Sequence, residues 1–94
     1  NDKDPVLFNN RGKAKMNIDL LPAAIADFDK AISLKPDYSK AYYNRGTAKF
    51  ISKDYAGAIS DLEKSKTSEG ETADLVKMLG LANYTINKKE AAKD

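Results

Sequence analysis

Several residue types and patterns on which enzymes depend are absent from this chain. Its 94 residues include no cysteine and no histidine. Without cysteine there is no disulfide, thiolate metal site or thiol nucleophile, and without histidine neither a Ser-His nor a Cys-His catalytic pair can form. A glycine-rich phosphate loop and the ligand spacings of zinc and calcium sites are also missing. We therefore predict no catalytic residue, no metal-binding residue and no cofactor, and we expect that the segment is not an enzyme.

Long blocks of like charge and long apolar runs are missing as well. Lys and Arg number 16 against 14 Asp and Glu, a formal net charge of +2, and the lysines alternate with acidic residues. No run approaches the roughly 20 apolar residues that span a bilayer. We predict no nucleic-acid partner and no membrane insertion; a steep fall of affinity with salt would identify nucleic-acid binding. The composition does not choose a compartment.

The most informative feature that is present is a repeat. The triplet Asn-Arg-Gly occurs at 10–12 and again at 44–46, and Gly80 stands where a third copy would place its glycine, so the spacing is 34 residues both times. A fixed period of this size indicates stacked supersecondary units. We predict a single array over residues 1–94. Its units are a first repeat at 5–38, a second repeat at 39–72 and a partial third repeat at 73–94.

We expect the array to be part of a longer protein. The chain begins with Asn1 rather than Met, which predicts that a leader or an upstream region has been removed. The third unit stops about two-thirds of the way through its 34 residues.

Each complete unit is predicted to consist of two helices. Asp4 can cap a helix that starts at Pro5, and Pro22 suits the first turn of the next helix. In the second unit Asp54 occupies the capping position before the second helix. Apolar residues recur at helical spacing in both units. The sequence therefore predicts five or six antiparallel helices and no strand.

The partial third unit is expected to leave an apolar face open. Its first helix is predicted over Asp74–Ile86, and the segment Lys88–Asp94 is predicted to begin a second helix that is too short to cover the first. This supports an alternative function, in which the segment is a structural module that forms homo-oligomers through its C-terminal partial repeat.

Glycine recurs in register inside the first helix of each unit. An interior glycine costs a helix about 1 kcal/mol relative to alanine, so its recurrence indicates a close crossing by the second helix. Alanines on that second helix would leave the same room. The predicted crossings involve Gly12 with Ala24, Gly46 with Ala58, and Gly80 with Ala92.

The complete pattern resembles the tetratricopeptide repeat (TPR) family. That pattern has an aromatic residue, Leu-Gly three residues later, then Ala-x-x-x-Phe and Pro, over 34 residues. The chain departs from it at Arg11 and Arg45, where Leu is usual, and at Gly70, where Pro is usual. The resemblance implies an all-α solenoid of helix-turn-helix repeats, a TPR-like superhelix of about two and a half repeats. The matching residues are Phe8, Gly12, Ala24, Phe28 and Pro36, then Tyr42, Gly46, Ala58 and Leu62, then Val76, Leu79, Gly80 and Ala92.

The resemblance also implies a protein–protein interaction module. In such arrays the first helix of each unit lines a concave groove, whose inward positions here include Val6 and Asp74. Asparagine side chains can hydrogen-bond a peptide backbone and lysines can pair with carboxylates. We therefore expect a protein or peptide partner, extended or helical, with acidic groups as one option. The predicted groove residues are Asn9, Asn10, Lys13, Lys40, Tyr43, Asn44, Thr47 and Lys77.

Other interpretations remain open for some of these residues. Asn10 and Asn44 could instead satisfy neighbouring turns inside the array. Arg11 and Arg45 are interpreted as packing residues whose long stems cover apolar surface. Two pairs of carboxylates one repeat apart are interpreted as solvated helix faces and caps: Asp27 with Asp61, and Asp19 with Asp54.

Some TPR domains hold the terminal carboxylate of heat-shock chaperones in a clamp of Lys, Asn, Asn, Lys and Arg. Only Asn44 matches the clamp when it is placed on this chain, and Asp74 would repel a carboxylate. If the array is shifted by one unit, Asn10 and Lys40 match but Asn44 stands where Arg belongs. Chaperone binding through a full clamp is therefore not expected. In the first register the clamp positions are Asn9, Lys13, Asn44, Asp74 and Met78.

Overall fold

The computed structural model describes residues 3–69 and 72–92 and contains five α-helices in that part of the chain. Each helix packs on the next one along the chain, and α1 with α3 and α3 with α5 form a second set of contacts. No strand occurs among the described residues, so the predicted all-α helix-turn-helix solenoid is confirmed. The helices are α1 (Pro5–Asn17), α2 (Leu21–Leu34), α3 (Ser39–Ile51), α4 (Tyr55–Glu69) and α5 (Ala73–Ala92).

The predicted caps begin the helices as expected. The Asp4 carboxylate accepts a hydrogen bond from the backbone N–H of Val6 at 2.9 Å, and the Asp54 carboxylate accepts one from Gly57 at 3.0 Å. Each cap satisfies a backbone donor that the first helical turn leaves free. None of the described helices is both long enough and apolar enough to cross a bilayer.

In each of the two complete units, a turn of the same shape joins the first helix to the second. Asp19 and Lys53, one repeat apart, both adopt a left-handed backbone conformation, with φ of 65° and 71°. The next backbone N–H in each turn bonds to a carbonyl five residues back, at 2.8 Å in both units. The repeated turn reverses the chain so that α2 packs on α1 and α4 packs on α3.

Two of the predicted glycine crossings are present. A Cβ atom built on Gly12 would lie 2.6 Å from the Phe28 ring, and one on Gly46 would lie 3.1 Å from Leu62 Cγ. Phe28 and Leu62 are both fully buried. Glycine therefore lets the second helix of each complete unit approach the first helix closely, and Phe28 and Leu62 are buried at these crossings.

The third unit differs from the prediction. α5 is one continuous helix from Ala73 to Ala92, so the prediction that Lys88–Asp94 begins a second helix is wrong. Lys88 replaces the cap that Asp54 provides one repeat earlier, and Glu90 stands where the first unit has Pro22. With neither a cap nor a proline to start a new helix, the helix-favouring residues continue α5. Residues 93 and 94 lie outside the described part of the chain.

The predicted crossing at Gly80 is also wrong. No atom of the described residues comes within 4 Å of a Cβ built on Gly80, because no second helix of the third unit packs there. The side chain of Ala92, its predicted partner, lies outside the described part, and so does Gly70. Gly80 therefore lies on an exposed face of α5.

Each complete unit contains a charge cluster around a buried aspartate. Arg11 donates to both carboxylate oxygens of Asp27, at 3.0 and 2.7 Å, and Lys15 approaches the same group at 3.0 Å. The hydrogen bond from Arg11, reinforced by Lys15, holds the pKa of Asp27 below its usual value although burial opposes this shift. In the second unit Arg45 and Lys49 bind Asp61 in the same way.

These clusters correct one interpretation and support another. Asp27 and Asp61 are only 5% and 4% exposed, so their interpretation as solvated residues is wrong. The Arg11 guanidinium lies 5.0 Å from the centre of the Phe8 ring, in agreement with a packing role. Arg45 also donates to Asp29 of the preceding unit at 2.9 Å and thereby links the two units.

Replacing Gly46 with leucine is expected to destabilise the fold. The new side chain would meet Leu62, the Ala58 carbonyl and Asp61 at the crossing, and overpacking of this kind lowers the free energy of unfolding by about 1–3 kcal/mol or more. Gly80→Leu is the matched control, because its site is open and leucine favours the helix over glycine. Urea denaturation of both variants measures the difference. Equal unfolding midpoints would contradict the close crossing.

Candidate binding groove

The first helices of the three units lie side by side and enclose an open groove. α3 contacts α1 on one side and α5 on the other, and the groove between them has a volume of about 530 Å³. The second helices lie behind this layer and hold it through the crossings and charge clusters. The groove is therefore a surface that all three units build together.

The structure brings six of the eight predicted groove residues together. Thr47 and Lys77 are the exceptions: Thr47 is half-buried and donates its hydroxyl to the Tyr43 carbonyl at 2.9 Å, and Lys77 lies exposed on α5 outside the lining. The residues that do line the groove are Asn9, Asn10, Lys13, Lys40, Tyr43 and Asn44, joined by Val6 and Asp74.

Some lining residues were missed by the sequence analysis. Tyr38 and Thr72 lie just before α3 and α5, and Ser65 belongs to a second helix. Helical spacing within the first helices does not indicate them, because they reach the groove only through the packing of one helix on another. The remaining two, Ser39 and Leu75, fall in the first turns of α3 and α5.

A pair of asparagines forms the centre of the groove. The Asn44 amide on α3 donates to the Asn9 carbonyl oxygen on α1 at 2.9 Å, and both side chains are buried. Asn44 therefore has an internal partner, which is a side chain on the neighbouring helix rather than a turn. Asn10 is exposed. The hydrogen bond between the two asparagines links α1 to α3 within the groove lining.

The asparagine pair still has free hydrogen-bonding groups. Among the described residues no group bonds to Asn9 Nδ2 or to Asn44 Oδ1, and no buried side-chain nitrogen or oxygen lacks a partner, so these two atoms are accessible. If both amides were turned over, one amide donor and one carbonyl acceptor would again remain free. The groove thus presents a donor beside an acceptor.

Two serines hold one end of the groove. Ser39 Oγ donates to the Ser65 carbonyl and Ser65 Oγ donates to the Ser39 carbonyl, each at 3.0 Å. Both residues are buried, so the bonds join the start of α3 to the second half of α4. This reciprocal pair links two elements of the groove lining, the start of α3 and α4.

Charge is distributed unevenly along the groove. Lys13 on α1 and Lys40 on α3 are exposed cations, whereas Asp74 at the start of α5 is an exposed anion. The pKa of the Tyr43 hydroxyl is raised, chiefly by burial and then by the negative charge of Asp74. A ligand would therefore meet positive charge on the α1 and α3 side and negative charge on the α5 side.

Comparison with known proteins gives matches over nearly all of the chain. A family model described as "Tetratricopeptide repeat" matches residues 6–38 and 39–71. Protein FlbA of Caulobacter vibrioides is 36% identical over 86 residues, which cover 92% of this chain and 14% of that protein. Serine/threonine-protein phosphatase T of Aspergillus oryzae is 30% identical over 92 residues, which cover 98% of this chain and 19% of that protein. The chain thus spans less than a fifth of either relative.

Solved structures with the same architecture include peptide complexes. The first TPR of Spaghetti (RPAP3), bound to the HSP90 peptide SRMEEVD, has a TM-score of 0.88 and 27% identity and covers 90% of this chain and 68% of its own. The TPR2B domain of yeast Sti1, in its pHsp70 complex, has a TM-score of 0.83 and 28% identity and covers 88% of this chain and 71% of its own.

Replacing Asn44 with alanine is expected to weaken folding as well as to alter the groove. The buried Asn9 oxygen would lose its donor, which lowers the free energy of unfolding by about 1–3 kcal/mol. Asn10→Ala, at the exposed neighbour of Asn9, should change it by less than about 0.5 kcal/mol. Urea denaturation of the two variants checks this. Equal stability would indicate that the Asn9–Asn44 bond is not maintained in solution.

Proposed function

The chain belongs to the tetratricopeptide repeat family, and on that basis we propose that this segment is a protein–protein interaction module whose groove between α1, α3 and α5 binds a peptide or partner segment. The observation that supports this most directly is the free donor and acceptor of the asparagine pair in a groove of about 530 Å³. Similar domains in solved structures hold peptides of heat-shock proteins.

The asparagine pair suits a peptide backbone. An extended backbone presents an N–H and a C=O at each residue, and Asn9 Nδ2 and Asn44 Oδ1 supply one partner for each. Such bonds do not depend on side-chain identity, so they would give affinity for many sequences. Selectivity then comes from the groups around the pair.

Lysines beside the pair favour an acidic group on the partner. Lys13 and Lys40 are exposed, line the groove and belong to neighbouring helices. A carboxylate between them would form charge-assisted hydrogen bonds, which are stronger than neutral ones. The proposed ligand is therefore a peptide segment with at least one acidic side chain.

We propose no catalytic role for this segment. Binding would be its contribution to whichever protein carries it. One relative is named as a phosphatase, and the matched segment is 19% of that protein. Any activity of the whole protein lies beyond the groove described above.

Reversing the two groove lysines is expected to weaken peptide binding. An array of N-acetylated, C-amidated heptapeptides of varied sequence, probed with the labelled segment, identifies the peptides that bind. Lys13→Glu/Lys40→Glu should lower affinity for the acidic members by about tenfold, since two attractive contacts become repulsive. Helical content by circular dichroism should stay unchanged.

The matched control is Lys30→Glu/Lys64→Glu. These lysines are exposed, lie one repeat apart on α2 and α4, and do not line the groove. The control makes the same change in net charge and should bind the same peptides as the parent. A groove-lysine variant that binds as well as the parent, or a parent that binds no peptide, would contradict the proposal.

Self-assembly is a second candidate function. Val76, Leu81 and Tyr84 on α5 are 49%, 46% and 64% exposed, and Gly80 beside them has no close neighbour among the described residues. Burying this face would stabilise an oligomer through the hydrophobic effect. Sedimentation velocity over a wide concentration range should then give a coefficient that rises with concentration. A constant monomer value would exclude this function.

A further inference from the structure

We infer that the groove selects a peptide carrying both an acidic and a basic side chain, with the acid held by Lys13 and Lys40 and the base held by Asp74, and that it disfavours a purely acidic tail. The inference rests on the proposed binding of peptides in the groove. It adds the class of ligand, which the fold and the similarity to other proteins leave open.

The first support is the state of the groove charges. Lys13, Lys40 and Asp74 all line the groove, and none of them forms an ion pair within residues 3–69 and 72–92. Four other cations on α1 and α3 differ from them, because each is paired with an aspartate of a second helix. Those paired cations are Arg11, Lys15, Arg45 and Lys49. The groove thus presents charges of both signs that have no ion-pair partner among the described residues.

The second support is the placement of the two signs. Lys40 and Asp74 are one repeat apart and occupy corresponding positions in the first turns of α3 and α5. The two residues are close enough to line one groove but do not pair with each other. A single short peptide can therefore contact both, and it would gain most from a carboxylate toward α1 and α3 and a cation toward α5.

Asp74 also acts on a tail that has only acidic groups. Its negative charge reaches into the lining, since it contributes after burial to the raised pKa of the Tyr43 hydroxyl. The peptide SRMEEVD, which the similar RPAP3 domain holds, carries Arg near its start, and its last four residues, Glu-Glu-Val-Asp, form a purely acidic tail. A run of carboxylates of that kind would place at least one negative charge near Asp74, where it is repelled.

The test compares three sets of labelled heptapeptides, each N-acetylated and C-amidated on an Ala/Ser background. One set carries one Glu and one Lys at every spacing and order, one carries two Glu, and one carries two Lys; the labelled free-acid tetrapeptide EEVD, which has only acidic charged side chains, is a fourth probe. Fluorescence anisotropy measures the affinity for the whole segment. We expect the best Glu/Lys member to bind about threefold to tenfold more tightly than any Glu/Glu member or EEVD.

Variants of Asp74 identify the residue responsible. Asp74→Lys should reverse the order, so that Glu/Glu members and EEVD bind more tightly than Glu/Lys members. Asp74→Asn, which keeps the shape and removes the charge, should abolish the difference. Circular dichroism confirms that both variants keep the helical content of the parent.

Asp19→Lys provides the matched control. It makes the same charge change at an exposed turn residue far from the lining, and Lys53 already occupies the corresponding position with the same backbone conformation. The control should keep the peptide order of the parent. The comparison separates the effect of a charge at position 74 on the peptide preference from the effect of net charge.

The outcomes distinguish this inference from the proposed function. A parent that binds no probe overturns both. A parent that prefers Glu/Glu peptides, or Asp74 variants that keep the parent's order, overturn the inference and leave peptide binding in place. A reversed order in Asp74→Lys but not in Asp19→Lys supports it.

Discussion

The close crossing of two helices at a glycine is the constraint on which the rest of the structure depends. Gly12 and Gly46 let Phe28 and Leu62 press against the backbone of the helix in front, and both side chains become fully buried. A Cβ at Gly12 would overlap the Phe28 ring, and one at Gly46 would be tighter than ordinary contact with Leu62 and with the Ala58 carbonyl. Because the same crossing occurs twice at the same spacing, α1 and α3 come to lie side by side in one layer. The groove is a consequence of that layer.

Burial and pairing separate the charged residues of this chain into two groups, those bonded to a buried aspartate and those exposed in the groove. Behind the groove, Asp27 and Asp61 are buried, and each accepts hydrogen bonds from an arginine and contacts a lysine. A buried carboxylate with fixed partners cannot rearrange for a ligand without leaving a charge unsatisfied. The exposed groove charges have no such cost, so the proposed ligand could pair with them without breaking an internal ion pair. The paired charges thus belong to the packed part of the fold, and the unpaired charges belong to the exposed groove.

Much of the fold could be predicted from local patterns, whereas the third unit could not. Caps and turn residues act over a few residues, and together with the 34-residue period they placed the helices of the first two units correctly. The third unit has the glycine of the pattern at position 80 but lacks the cap and the proline that would start another helix, so α5 continues. The glycine pattern alone was misleading there, because a crossing requires a second helix as well as room for it.

The sequence by itself determined the repeat and the helical class, since these follow from a period of 34 residues and from helical spacing. The expectation that the first helices line a groove came from the resemblance to TPR arrays. Only the tertiary structure decided which groups meet across that spacing. Asn9 and Asn44 are 35 residues apart and share a hydrogen bond, and Ser39 reaches Ser65 across 26 residues. The tertiary structure also decided which charged groups are paired and which have no ion-pair partner among the described residues. The physical reason is that hydrogen bonds and ion pairs depend on distances of a few ångströms between helices, and those distances are set by packing rather than by order along the chain.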